Sequence, residues 1–310
     1  MTLSQLGANR YPPTFTNNRI MGNLRDIRRR IKSIKNTSQI TKAMQMVASA
    51  KMRRAQDQAI KGRAYIAALA QVLYHLKEEI AERNSPLLTH NGSTKELVLV
   101  INTDRGLCGG LNTNLFKAIR TQTSPDAHFI TIGRKLNSTL AKVGSIIDAS
   151  WSLADPLALV ELRPIFDFCR QKYQLAEYGK ITVAYSSFVN TMVQKPIVRQ
   201  LLPISEEELL EVAAEGNEEI DNARKSNFIM EPNSHNLLDT ILPLYFFYIL
   251  AQVVLEARAS EHSSRMVSMK AASENAQTII GELTLEYNKA RQTQITNELL
   301  EITTAMRAME

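Results

Sequence analysis

Between Met21 and Ser85 the chain contains no proline, and a register of mostly apolar or small residues returns at spacings of three and four throughout. The register runs through Leu24, Ile27, Ile31 and Ile34, over Ser38, Thr41, Gln45, Ala48, Met52, Ala55, Ala59 and Gly62, and on through Ile66, Leu69, Leu73, Leu76 and Ile80. Residues so spaced lie on one face of an α-helix, and a stripe sustained over many heptads predicts a coiled coil. A single helix of about 60 residues would be roughly 90 Å long, several times the ordinary globular length. The seam is apolar at both ends but small or polar from Ser38 to Gly62, so its middle must either pack closely or face something wet.

A second register occupies the C-terminal third, through Ile241, Tyr245, Tyr248, Leu255, Ala259, Met266, Met269, Ala276, Ile280, Leu283, Tyr287 and Ala290. Ala, Glu, Met and Leu, all strong helix formers, dominate it. Pro243 stands near the expected start at about Leu237, where proline is tolerated although a kink is possible. Beyond Ala290 the apolar set shifts to Ile295, Leu299, Ile302, Met306 and Met309, so the tip carries a different stripe. Two long helices at opposite ends of one chain most simply bury their seams against each other as an antiparallel pair.

The residues between them must then form a separate unit. Residues 96–102 (ELVLVIN) predict a buried strand, followed by a glycine-rich turn and a helix through Phe116 and Ile119. Further strands are expected at 128–132, 145–149 and 180–185, and helices near 134–142 and 156–178. Strands alternating with helices indicate an α/β domain with a largely parallel sheet. Residues 192–202 read as another strand, placed at an edge because Pro196 lacks a donor. The expected organisation is a disordered extension at 1–20, a coiled-coil helix at 21–85, an α/β domain at 95–205, an acidic linker at 206–235 and a second coiled-coil helix at 236–310.

Composition narrows the possible functions. With 44% hydrophobic residues the 310-residue chain supports a folded core, and a net charge of +6 suits partners with acidic surfaces. Cys108 and Cys169 form neither a CxxC nor a framework, so two free thiols in a reducing compartment are expected. No run reaches the roughly 18 to 20 apolar residues needed to span a bilayer. The closest, residues 241–254, contains Pro243 and Gln252. The first twenty residues lack acidic side chains and carry Arg10 and Arg19, faintly like a transit peptide, but Pro12 and Pro13 argue against a targeting helix. Met21 is an alternative start.

The turn after the first strand, Asp104-Arg105-Gly106-Leu107-Cys108-Gly109-Gly110, lies where an α/β domain would hold a phosphate. It is neither GxGxxG nor GxxxxGK[ST], and a tight structural turn is the expected role. Cys108 is expected to be buried and inert rather than activated. His75, His90, His128, His235 and His262 show no metal-ligand spacing, so no metal or cofactor is expected, and His262 reads as a contact residue on a helix. From Arg19 to Arg63, thirteen Lys and Arg residues stand against only Asp26 and Asp57. Such a rod could lie on DNA or anionic lipid, be a solvated face, or slide past acidic protein loops. The lack of aromatics from Met21 to Gly62 argues against base stacking.

Several segments resemble one family. The run Asn36-Thr37-Ser38-Gln39-Ile40-Thr41-Lys42-Ala43-Met44 with Val47 to Met52, the turn Thr103 to Asn112, and Ala259-Ser260-Glu261-His262 to Met266 are similar to the gamma subunit of F-type ATP synthases. Met269-Lys270-Ala271-Ala272 and Tyr287 to Gln292 continue the likeness, which covers the chain from about Met21 to its end. The resemblance implies a long antiparallel coiled coil with a Rossmann-like α/β flank domain, acting as a non-catalytic central-stalk rotor. It further implies partners: the alpha and beta subunits of a catalytic head, an epsilon subunit and a membrane c-ring, with no nucleic acid and no transmembrane segment of its own. Lys42, Met44 and Lys51 would meet acidic loops of the beta subunits; Arg265, Gln292, Thr296 and Glu298 would serve coupling and contacts with the head; Glu231 would lie near the membrane ring. The implied location is the cytoplasmic face of a bacterial plasma membrane, with an organellar inner membrane as the alternative. The cysteine-bearing regulatory insert of chloroplast members is missing, so redox control of that type is not expected.

Overall fold

The computed structural model describes residues 15–75, 86–205 and 234–309. Two long helices bound the chain: α1, Phe15–His75, and α5, Ser234–Arg307. Between them lie β1 (Glu96–Ile101), α2 (Leu111–Gln122), β2 (His128–Ile132), α3 (Asn137–Lys142), β3 (Ile147–Trp151), α4 (Arg163–Gln174), β4 (Lys180–Phe188) and β5 (Gln194–Leu202). The sheet order is β3-β2-β1-β4-β5; all pairs are parallel except β4 with β5. The α/β class and the pairing of the terminal helices thus follow the sequence reading.

The chain divides into two compact units, one comprising the segment up to Met44 with that from Met269, the other Gln45–Ser268. In the first, Ile27 is buried and the Ser38 and Ser273 hydroxyls approach to 3.4 Å. Small residues there allow close helix approach.

In the second unit, β1 alternates between two apolar layers. Leu97, Leu99 and Ile101 join Ile165, Phe166 and Cys169 of α4, Ile66 and Leu73 of α1, and Tyr245 and Leu250 of α5. Val98 and Val100 point the other way, against Leu115 and Ile119 of α2 and Leu140 of α3. The period of two in a strand sends alternate side chains to opposite faces, so a strand buried on both sides reads as an unbroken apolar run. Both terminal helices are therefore structural layers of this domain. Tyr65 of α1 meets Tyr248 of α5, while Arg63 pairs with Glu256 further along, so the two helices run antiparallel here. A Cβ at Gly62 would fall 3.0 Å from the Gln252 side-chain amide, which shows how closely they cross. The small and polar middle of the α1 seam packs closely: Ala48, Met52, Ala55 and Ala59 are all buried.

Several local expectations shift. The N-terminal helix begins at Phe15 rather than Met21, because no helix breaker interrupts residues 15–20 once Pro12 and Pro13 are passed; the rest of the expected disordered extension lies outside the described residues. The third strand forms at 147–151, since Gly144, with φ +81°, still belongs to the preceding turn. The expected helix over 156–178 becomes a short 3-10 turn, Leu159–Leu162, followed by α4 with Pro164 in its first turn. Because α5 starts at Ser234, Pro243 is internal and cannot donate to the carbonyl of Asp239. The aromatic run after it packs on the α/β domain: Tyr245, Phe246 and Leu250 are fully or almost fully buried, and Phe246 lies 5.2 Å from the Phe166 ring. α5 holds a window apolar enough to cross a membrane, but 61% of it is buried in this core.

Candidate functional site

The sheet reverses its direction of growth between β1 and β4, and open α/β sheets bind ligands in the crevice at the carboxyl ends of the strands flanking such a point. Here that crevice is occupied by the chain itself. Asn102, Thr103 and Ser186 at the strand ends face Ala257, Arg258 and Glu261 of α5 across a cavity of about 10 Å³, room for one water-sized sphere.

The glycine-rich turn is held by α5 through its carbonyls. Ser264 Oγ donates to Cys108 O at 2.7 Å, and the Arg265 guanidinium donates to Gly106 O at 3.3 Å and Arg105 O at 3.2 Å. A phosphate cradle presents N–H groups to an anion; this turn presents carbonyl oxygens to a cation, which is the opposite polarity. Asn112 Nδ2 donates to Thr103 Oγ1 at 2.7 Å and ties the start of α2 to the end of β1. The expected structural turn is thus what the geometry gives. Cys108 is buried, and burial pushes its thiol up; Cys169, sealed in the core, is raised to about 12. Both thiols are free.

Beneath the turn lies a buried ionic cluster. Glu261 joins Arg258 at 3.1 Å and Arg265 at 2.7 Å, one turn of α5 in each case. Arg258 also donates to Leu153 O at 3.0 Å and stands 3.8 Å from Asp104, which in turn faces Arg134 at 3.4 Å. Buried charges persist only when paired and hydrogen-bonded; Arg258, Glu261 and Arg265 each have at least two partners, while Asp104 is held by its two guanidinium neighbours as ion pairs. Ser263 Oγ donates to Thr191 O at 2.8 Å, fixing the β4–β5 hairpin to the same stretch of helix. The residues of α5 from Arg258 to Arg265 therefore clasp three loops of the α/β domain.

Asp155 links both terminal helices. Its carboxylate accepts from Lys51 of α1 at 2.8 Å and lies 3.2 Å from Nε2 of His262 on α5. Burial alone would raise the Asp155 carboxyl, but the Lys51 hydrogen bond and the neighbouring His262, Lys51 and Arg258 charges bring it below the usual value. Burial lowers His262, against the pull of Glu261 and Asp155 and with help from Arg265 and Lys51. Both groups have folded values below their unfolded ones. Each therefore contributes stability above its unfolded pKa that is lost as pH falls through the folded one. Unfolding free energy is expected to drop as pH falls below 6.5, the unperturbed histidine value. His262→Gln should flatten the curve between about pH 6.5 and pH 4 and reduce, without abolishing, the Asp155 contribution below about pH 4, because Lys51 and Arg258 still face that carboxylate. Urea midpoints measured from about pH 2 to 8 check this, and an unchanged profile in the variant would count against it.

The sequence-derived site residues do not converge. Lys42 is exposed and Met44 half-buried on α1. Lys51 is engaged with Asp155, and Arg265 is buried within the clasp. Gln292 and Thr296 lie on exposed α5, the Thr296 hydroxyl donating to Gln292 O at 3.0 Å, and exposed Glu298 accepts from Gln294 Nε2 at 2.8 Å. Glu231 falls outside the described residues. Ile295, Leu299, Ile302, Met306 and Met309 expose their apolar side chains to solvent. Sequence reasoning missed Asp104, Asp155, Arg258 and Glu261 as a group; the i, i+3 and i, i+4 spacing of Arg258, Glu261 and Arg265 was the available signal.

A family model described as ATP synthase matches residues 23–309. The chain is 68% identical over 292 residues to the ATP synthase gamma chain of Akkermansia muciniphila, covering 94% of this chain and all of the relative. It is 45% identical over 294 residues to the ATP synthase gamma chain of Methylacidiphilum infernorum, covering 93% and 100%. Among solved structures, a chain of the Euglena gracilis mitochondrial ATP synthase OSCP/F1/c-ring assembly shares the fold, with a TM-score of 0.64 at 19% identity, covering 93% of this chain and 95% of that one. Family match, near-full-length identity and shared fold agree: the chain belongs to the gamma-subunit family of the F-type ATP synthases.

Proposed function

We propose that this protein is the central-stalk rotor of an F-type ATP synthase, a non-catalytic part that couples ion-driven rotation of a membrane ring to ATP synthesis in a catalytic head. The observation that carries this reading is the α/β ligand crevice filled by α5: the domain has no room for a nucleotide at its switch point, and its glycine turn is fastened to the helix instead. A rotor needs that arrangement, because torque applied to the flank domain reaches the helix only through fixed contacts. Lys42, exposed on α1 beside half-buried Met44, provides positive charge with no fixed partner among the described residues. Exposed ion pairs worth about 0 to 1 kcal/mol each can be exchanged as a shaft turns past acidic loops. The exposed apolar end of α5 fits a low-friction bearing.

The partners under this reading are the alpha and beta subunits of the head, the epsilon subunit and the c-ring, with Gln292, Thr296 and Glu298 assigned to contacts with the head and Glu231 to the region near the ring. The complex sits at a membrane, on the cytoplasmic face of the bacterial plasma membrane. Reconstitution of the head with and without the purified chain tests the assignment: complex formation and a changed rate of ATP hydrolysis are expected, and neither would be seen if the reading were wrong. Met44→Lys adds a charge on the exposed part of α1 and is expected to lower proton pumping more than hydrolysis. Wild-type values of both, in the same ratio, would remove Met44 from the interface.

A further inference from the structure

α1, α5 and the turn before α4 enclose a cavity of about 290 Å³ within the second unit. Ile66 and Leu255 line it and are buried, the Tyr65 and Tyr248 rings in its wall stand 4.5 Å apart, and Leu159 also lines it. Tyr65 and Leu159 are 44% and 42% exposed, so apolar surface lies open to solvent around the mouth. Clustered exposed apolar surface of this kind marks a binding site more often than it marks isolated surface residues. The volume lies just below the range of drug-sized ligand pockets, roughly 300 to 1,000 Å³, which suits a small or slender ligand.

Charge selects the occupant. The lining holds no carboxylate, and its one charged member, Lys61, is exposed with no partner among the described residues. The adjoining recess carries Arg54, exposed and likewise unpaired among the described residues, while its one carboxylate, Asp155, is already bound to Lys51.

We propose that this cavity binds an anionic amphiphile of medium chain length, a fatty-acid anion, with the alkyl chain between the tyrosine rings and Leu159 and the carboxylate at Lys61. Burial of the chain against the tyrosines, Ile66 and Leu255 supplies affinity, since apolar surface leaves water on both sides. The lysine supplies the preference for negative charge, because an ammonium head group in the same place would meet Lys61 with like charge. This site is independent of the rotor assignment and of the clasp.

The test is calorimetric titration of the full-length chain with dodecanoate below its micellar concentration, beside dodecyltrimethylammonium as the cationic control. Saturable one-site binding of dodecanoate is expected, with the cationic amphiphile at least about tenfold weaker. Lys61→Glu and, separately, Leu159→Asp should each weaken dodecanoate at least about tenfold, with the thermal unfolding midpoint unchanged since both side chains are exposed. No saturable heat, equal affinity for both amphiphiles, or full affinity in both variants would overturn the proposal. So would native mass spectrometry showing a dimer that dodecanoate does not dissociate, because a second copy would then be the occupant.

Discussion

Glu261→Ala is expected to lower the free energy of unfolding by about 3 to 5 kcal/mol, the range found when one partner of a buried charge network is removed. Glu261 is the shared anion between Arg258 and Arg265, with its side chain 7% exposed, and among the described residues no other carboxylate lies within 3.5 Å of either guanidinium. Its loss leaves two cations facing each other in a desolvated pocket, and the turn carbonyls on Arg105 and Gly106 lose the anchor that orients Arg265. Glu261→Gln keeps the size and one acceptor, so it should cost less than the alanine variant. Urea denaturation followed by far-UV circular dichroism measures both. A loss below about 1 kcal/mol in the alanine variant would mean that the clasp contributes no more than an exposed ion pair.

Gly133→Ala is expected to be nearly as damaging, at about 3 kcal/mol or more, from two sources acting together. Gly133 has φ +100°, a conformation closed to residues with a Cβ, and an added Cβ would fall 2.3 Å from the carbonyl oxygen of Asn102. The neighbouring backbone cannot yield, because Asn102 N donates to Ile132 O and Gly133 N donates to Trp151 O, which hold β1, β2 and β3 together at their carboxyl ends. Gly144→Ala is the matched control: its φ is +81° but nothing lies within 4 Å of the new Cβ, so only the dihedral cost of about 1 to 2 kcal/mol remains. The two variants separate steric from conformational cost. Equal losses for both would show that the close approach to Asn102 does not constrain the sheet.

Much of this fold was written locally. The heptads of α1 and the unbroken apolar run of β1 each encode one periodicity, and Pro196 alone consigned its strand to an edge. The glycine turn could be recognised as structural because the lysine and the glycine spacing of phosphate-binding loops are missing. What could not be read was the meeting of distant residues. Arg265 was legible as a charged residue on a helix, but only the fold brings it to the Gly106 carbonyl 159 residues earlier. Lys51 and Asp155 are 104 residues apart, and nothing in either neighbourhood announces the other. The start of α1 was placed too late because a helix end depends on small local preferences, and the apolar register that marks the helix is readable only from Leu24. Pro243 was tolerated inside α5 because burial of the aromatic residues after it outweighs one missing hydrogen bond.

The claim that this chain is a rotor is tested most directly by watching it turn. A probe fixed to an exposed residue of the α/β domain, on a chain assembled with an immobilised catalytic head, reports rotation during ATP hydrolysis. The account predicts unidirectional rotation of the probe, dependent on ATP and abolished when α5 is truncated before Gln292. A stationary probe on a head that hydrolyses ATP in the bound complex would contradict it.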